Sequence, residues 1–386
     1  MLTMFLRYLR GLAWLMAGLA SQPLHAASLP PDCRAFGVNY FDVFSSLLAN
    51  STSTRTEDGF VELAAARVPF ARFMATGFWP DELKLYSEDR DGYFRLMDRV
   101  FRAAENNGVG LIPSLFWNYS TVPDLVGEPV AKWGDPSSRT TAFARQYISD
   151  FVQRYKDSPV LWAYEFGNEM NLYVDLPNAA KLRPKTLPHK GTPEFRTAGD
   201  EITNEDLSVA YRIFVETVRK YDTRTLLSTG AGLPRKYAFN NAKSRSWKVD
   251  SEGEFRTMLG RHNPDDFGLL SFHVYPHHEH QYFGKASFGQ LFDAIVSAAK
   301  HSGQLVFAGE FGASREVPAQ RDAFEKLIHA LDESGVNLAA LWVYRFDYQS
   351  ATFDVRPGGD TAWMLDRISA FNAQYAAKGR LCGLRN

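Results

Sequence analysis

The sequence predicts a single-domain (β/α)8 barrel, a TIM barrel, with long loops after the fourth and fifth strands. Two observations carry that prediction. Short apolar, strand-like runs alternate with amphipathic segments along nearly the whole chain. Two of those runs end in an acid, Glu169 and Glu310, and parallel barrels place their chemistry just past the C-terminal ends of strands.

In chain order, the strands are expected at 36–41, 70–74, 110–116, 160–166, 225–229, 269–275, 305–310 and 339–344. Each is too short and too uniformly apolar for a surface helix. The fourth, Val160-Leu161-Trp162-Ala163-Tyr164, reads as a buried strand leading into Glu165-Phe166-Gly167-Asn168-Glu169. The seventh repeats the pattern in Leu305-Val306-Phe307-Ala308-Gly309-Glu310. Helices are expected at 59–67, 93–106, 140–155, 204–221, 288–300, 319–334 and 362–377. In the second of these Phe94, Met97, Val100, Phe101 and Ala104 recur at helical spacing. Two stretches, 172–202 and 233–264, carry neither period and read as loops. Loops of that length on a barrel are usually functional.

Composition narrows the partners. The 386 residues carry a net charge of −1 with no basic block, which argues against nucleic acid, whose proteins need a basic face. Aromatics reach 14%, a surplus suited to stacking sugar rings. At the N-terminus, Arg7 and Arg10, the apolar stretch 11–20 and the small residues around Ala26 read as a secretory signal over 1–26, with the catalytic domain over 27–386. The apolar stretch falls short of the roughly 20 residues a membrane span needs, so no stable membrane insertion is expected after cleavage. The expected location is secreted or periplasmic. In an oxidising compartment Cys33 and Cys382, the two cysteines of the chain, are expected to form one disulfide.

Asn168-Glu169 after the fourth strand and Glu310 after the seventh resemble the retaining (β/α)8 glycoside hydrolases, in particular the cellulase-like and mannanase-like family 5. Further positions fit the same pattern. Arg72 in the second strand is similar to the arginine that keeps the nucleophile ionised. His273-Val274-Tyr275 resembles the His-x-Tyr pair beside it, and Trp342 the tryptophan that floors the sugar site. The resemblance implies Glu169 as acid/base, Glu310 as nucleophile, Asn168 bonding the sugar 2-hydroxyl and Tyr275 touching Glu310. Trp117 and Trp79 join Trp342 as stacking candidates. The third strand, Ile112-Pro113-Ser114-Leu115-Phe116, lacks the histidine of many family 5 cellulases and looks more like the mannanase-like branch.

The chemistry needs these groups. A glycosidic oxygen must be protonated as it leaves, while the anomeric carbon needs an electron-rich partner. One carboxyl must therefore be neutral and the other charged at one pH, which requires different surroundings. The expected activity is retaining hydrolysis of a β-linked polysaccharide or oligosaccharide, with β-mannan-type chains ahead of β-glucans and no cofactor. The competing readings are a non-catalytic carbohydrate-binding barrel and a transglycosylase.

Blander readings compete at single residues. Glu165, an even number of positions before Glu169, could share its face; a supporting role is expected for it. Trp79 and Trp117 could equally anchor loops. His273, His277, His278 and His280 resemble a metal cluster, but three of them follow Pro276 in a loop without the rigid support that metal ligands need. No metal is expected.

Overall fold

A computed structural model describes residues 29–383; the expected signal segment 1–26 lies outside them. Eight parallel strands form one sheet: β1 (Ala35–Asn39), β2 (Phe70–Met74), β3 (Gly110–Phe116), β4 (Ala163–Gly167), β5 (Leu226–Ser228), β6 (Leu269–Val274), β7 (Leu305–Phe311) and β8 (Leu338–Leu341). Their order is β5-β4-β3-β2-β1-β8-β7-β6, with β1 paired to β8. Between β5 and β6 the ladder narrows to one bridge, Leu227 to Gly268. Asn263 reinforces it, its Oδ1 accepting from Thr229 Oγ1 at 3.0 Å and from Ser271 N at 2.8 Å. The barrel is thus all but closed, as the alternating pattern predicts.

Alternation along each strand sorts the core into two. In β2, Ala71 and Phe73 pack outward against the helices, while Phe70 points inward with Ile112, Trp162, Leu269, Phe307 and Leu338. That inner cluster is an apolar floor at the N-terminal end of the barrel. It includes Cys33 and Cys382, which are joined in a disulfide spanning 349 residues of sequence. Above the floor the inward positions turn polar: Asn39, Arg72, Glu165, Ser228, Ser271 and His273 are all buried.

The helices follow the amphipathic segments, with Arg90–Asn107 and Arg139–Tyr155 the longest. The stretch 233–264 departs from the sequence reading. It holds two helices, Ala238–Ser244 and Glu252–His262, the second being the outer helix between β5 and β6. Its buried residues Phe255, Met258, Leu259 and His262 stand at helical spacing, but the fourth is polar and Gly253 and Gly260 interrupt the segment, which weakens the helical signal. The stretch 172–202 is a loop with short 3-10 turns. It is held down by Arg196, which grips Asp124 with both terminal nitrogens at 2.5 and 2.7 Å. No described helix is long and apolar enough to cross a membrane.

Candidate active site

Arg72 is the centre from which the site is built. It is fully buried in mid-β2, and the groups it meets come from the C-terminal parts of β1, β4 and β7. Its Nε donates to Glu165 Oε1 at 2.8 Å, Nη1 to Asn39 Oδ1 at 2.9 Å and Glu310 Oε1 at 3.1 Å, and Nη2 to Asn168 Oδ1 at 2.7 Å. Its guanidinium lies 4.3 Å from the Trp117 ring centre, the geometry of a cation–π contact. A buried arginine survives only when paired on every side, and this one is.

Glu310 reaches the interior through a bulge. Strict alternation from the inward Phe307 would turn Glu310 outward. Between β6 and β7 the register slips, so that Phe272 pairs with Ala308 but His273 pairs with Glu310. The extra residue is Gly309. A Cβ there would lie 2.7 Å from His273 Nε2, so glycine is required. Asn39 Nδ2 holds the bulge by donating to the Gly309 carbonyl at 2.9 Å.

Glu310 then accepts from Arg72 on Oε1 and from the Tyr275 hydroxyl on Oε2 at 2.6 Å. Burial pushes its carboxyl up. Arg72 and the Tyr275 hydroxyl oppose that shift and Glu169 adds to it, leaving the carboxyl above its ordinary value. Burial holds the Tyr275 hydroxyl far above its ordinary value, so it stays a donor.

Glu169 sits beyond the end of β4 with φ of 52°, left-handed backbone that a non-glycine residue adopts only when its surroundings enforce it. Its N–H donates to the Gly230 carbonyl at 2.9 Å. Its side chain lacks the arginine contact that Glu310 has, and its Oε1 instead meets His273 Nδ1 at 3.0 Å. Burial raises its carboxyl above the ordinary value, with Arg72 opposing more distantly. Burial holds His273 down at about 4, so the imidazole is neutral near pH 7. Its Nε2 is buried without a partner, which places the ring proton on Nδ1, facing Glu169. One ligand-type atom each from Glu169, His273 and Glu310 lie within 4.8 Å of one another.

Glu165, the rival acid, is fully buried between Arg72 and Ser228, whose hydroxyl donates to its Oε2 at 2.9 Å. It is the counter-charge that anchors Arg72 and has no access to a ligand. Trp342 follows β8, partly exposed, with Nε1 fixed by Gln349 at 2.8 Å. Trp117 is buried, its ring 6.0 Å from that of Trp342 and edge-on to Phe41 at 4.9 Å; it backs Arg72 and Trp342. Trp79 sits edge-on to Phe78 in the loop after β2, and its described contacts do not reach either acid. His278 Nδ1 accepts from Tyr275 N at 3.0 Å, and burial keeps that ring neutral, at about 3. His277 packs on His278, and His280 faces the Lys285 carbonyl. Among the described residues, the group close enough to hold an ion is Glu169, His273 and Glu310 rather than the histidine loop.

The sequence reading missed Asn39 and Gly309. Asn39 had a signal: it is the polar end of the otherwise apolar Ala35-Phe36-Gly37-Val38-Asn39. Gly309 had none, because a bulge exists only relative to a neighbouring strand.

Comparison with known proteins bears on the fold and the family. The family model described as cellulase (glycosyl hydrolase family 5) matches residues 62–346. No curated protein matches the chain. Among solved structures, an endo-1,4-beta-mannanase from Rhizomucor miehei is 15% identical with a TM-score of 0.63, covering 89% of this chain and 95% of that one. A hyperthermostable endo-1,4-beta-D-mannanase from Thermotoga petrophila RKU-1 is 14% identical with a TM-score of 0.61, covering 88% and 99%. An endoglucanase from Pseudomonas stutzeri is 15% identical with a TM-score of 0.52, covering 81% and 85%. At these identities the likeness is one of fold; the family match, spanning most of the barrel, is what assigns the chain. The chain belongs to the cellulase family, glycosyl hydrolase family 5, and is a retaining glycoside hydrolase.

Proposed function

We propose that Glu310 is the nucleophile and Glu169 the acid/base of a double displacement on a β-linked polysaccharide or oligosaccharide, with β-mannan-type chains favoured over β-glucans. The observation that carries the assignment is the unequal company of the two acids. Glu310 accepts from Arg72 and Tyr275, both of which favour its anion. Glu169 is desolvated and has one neutral partner, His273, where Glu310 has a cation and a phenol, so direct contacts support its anion less. A separation within 4.8 Å between their ligand-type atoms suits a retaining pair, whose carboxyls stand about 5–5.5 Å apart, better than an inverting one at about 6.5–9.5 Å.

In the first step Glu310 attacks the anomeric carbon as Glu169 protonates the departing oxygen. The covalent ester removes the negative charge of Glu310, so Glu169 ionises more readily. It then takes a proton from water as that water attacks, and Glu310 leaves. Asn168, whose Oδ1 is held by Arg72, has its amide nitrogen left to donate to the sugar 2-hydroxyl. Trp342 offers a ring for stacking.

The mannan preference draws support from the third strand, which ends Phe116-Trp117-Asn118 without a histidine. The mannanase barrels also superpose better than the endoglucanase, at TM-scores of 0.63 and 0.52. Export to the periplasm or medium is proposed from the signal-like stretch 1–26 and the paired cysteines. Turnover of mannans, glucans, xylans and aryl glycosides, measured for the native enzyme and for Glu310→Gln, tests the reading. Glu310→Gln should lose at least about 1,000-fold on every active substrate; substantial residual hydrolysis would sink the nucleophile, and activity on glucans alone the mannan preference.

A further inference from the structure

Behind Glu169 the loops after β4 and β5 are tied by a buried chain of hydrogen bonds that the chemistry above does not use. Asn171, two residues past Glu169, accepts from Gly232 N at 3.0 Å and donates to the Gly232 carbonyl at 2.9 Å. That two-point pair settles which end of the amide is oxygen. The Asn171 Nδ2 group therefore faces His262 Nδ1, 3.2 Å away, as a donor. His262 must accept there, so its proton resides on Nε2, which donates to Asn204 Oδ1 at 3.0 Å. Asn204 Nδ2 in turn donates to Asp175 Oδ2 at 2.5 Å. One neutral tautomer satisfies every member of the chain. His262, Asn171 and Asn204 are all buried, and burial holds the His262 ring down at about 3.

The chain ends on the acid. A Cβ at Gly232 would lie 3.0 Å from Glu169 Oε1, so this backbone forms one wall of the carboxyl's berth. The Gly230 carbonyl, two residues earlier, accepts from Glu169 N. At Gly230, with φ of +69°, a Cβ would collide with the Gly167 carbonyl at 1.8 Å; the β5 loop is laid directly on the Glu169 turn.

We propose that His262 is a positioning residue: through Asn171 it holds the 230–232 backbone against Glu169 and so aims that carboxyl for proton transfer. The inference rests on the reading of Glu169 as acid/base. A misplacement of about 1 Å at a reacting group can cost about 100-fold, and the loss should fall only on the proton-dependent step.

The test is kcat/KM for aryl β-glycosides of graded leaving-group ability, with melting temperatures alongside. His262→Gln keeps an amide nitrogen near the Nε2 position but offers Asn171 no acceptor. His262→Asn puts an oxygen near Nδ1 and keeps that bond. His262→Gln should lose about 10- to 100-fold on poor leaving groups and less than about 3-fold on a dinitrophenyl glycoside. His262→Asn should recover most of that loss, although both variants melt lower than the native enzyme. Gly232→Ala, which crowds Glu169 without touching the histidine, should show the same selectivity and serves if His262→Gln does not fold. Equal losses on all leaving groups, or His262→Asn no better than His262→Gln, overturn the role of His262. Glu169→Ala without leaving-group dependence overturns the acid/base reading itself, and the inference with it.

Discussion

Tyr275 donates its hydroxyl to Glu310 Oε2 at 2.6 Å, on the carboxylate oxygen that Arg72 does not occupy. Each oxygen of Glu310 is thereby held by a donor that favours its charged form. The Tyr275 ring is itself braced edge-on by Phe353 at 5.6 Å, and its backbone N–H by His278.

Replacing Tyr275 with Phe should therefore leave the fold intact and lower kcat by about 10-fold. That is the scale of one charge-assisted hydrogen bond. The same bond pulls the Glu310 carboxyl down, so its loss should shift the acid limb of the kcat/KM profile to higher pH. A profile that falls in height without moving would contradict the contact as a tuner of Glu310.

Glu169 should reveal its desolvation in stability as well as in rate. Its carboxyl is raised above the ordinary 4.5 by burial. A carboxyl that binds its proton more tightly in the folded state contributes fully below that ordinary value, and the contribution is lost as pH climbs toward the folded one. Glu169→Gln, neutral at all pH, should thus gain more in melting temperature over the native enzyme at pH 7 than at pH 4. A gain independent of pH would show that the folded carboxyl titrates normally.

Arg72 carries the structural load of the site. Removing it as Arg72→Met leaves the buried Glu165 and Glu310 without their shared cation, and breaking such a buried pair costs about 3–5 kcal/mol. Adding Glu165→Gln should restore part of that stability but not the activity, since Glu310 still lacks its partner. Denaturant unfolding of the single and double variants measures both; additive losses would mean the two residues are not coupled.

The Cys33–Cys382 bond closes the apolar floor across 349 residues of sequence. The protein purified without reductant should lack titratable thiols, and Cys33→Ser with Cys382→Ser should lower stability by about 2–5 kcal/mol. Activity at moderate temperature should be little changed, because the floor lies at the opposite end of the barrel from the acids. Two free thiols in the native protein would refute the bond.

The strands, most of the helices and the end of the barrel where the acids lie are legible in the order of the residues alone. A buried parallel strand must be a short apolar run, and a covering helix must carry an apolar stripe, so both leave a periodic trace. The helix Glu252–His262 escaped because one member of its buried stripe is a histidine and two glycines lie within it. How the two acids differ depends on contacts made across the folded barrel. The Gly309 bulge that turns Glu310 inward is defined against β6. The sharing of Arg72 among Glu165, Glu310, Asn39 and Asn168 joins residues from three other strand ends. The assignment of Glu165 to Arg72, and of Glu169 to a neutral histidine, follows from burial and distance. These are relations between strands far apart in the chain, and no local period encodes them.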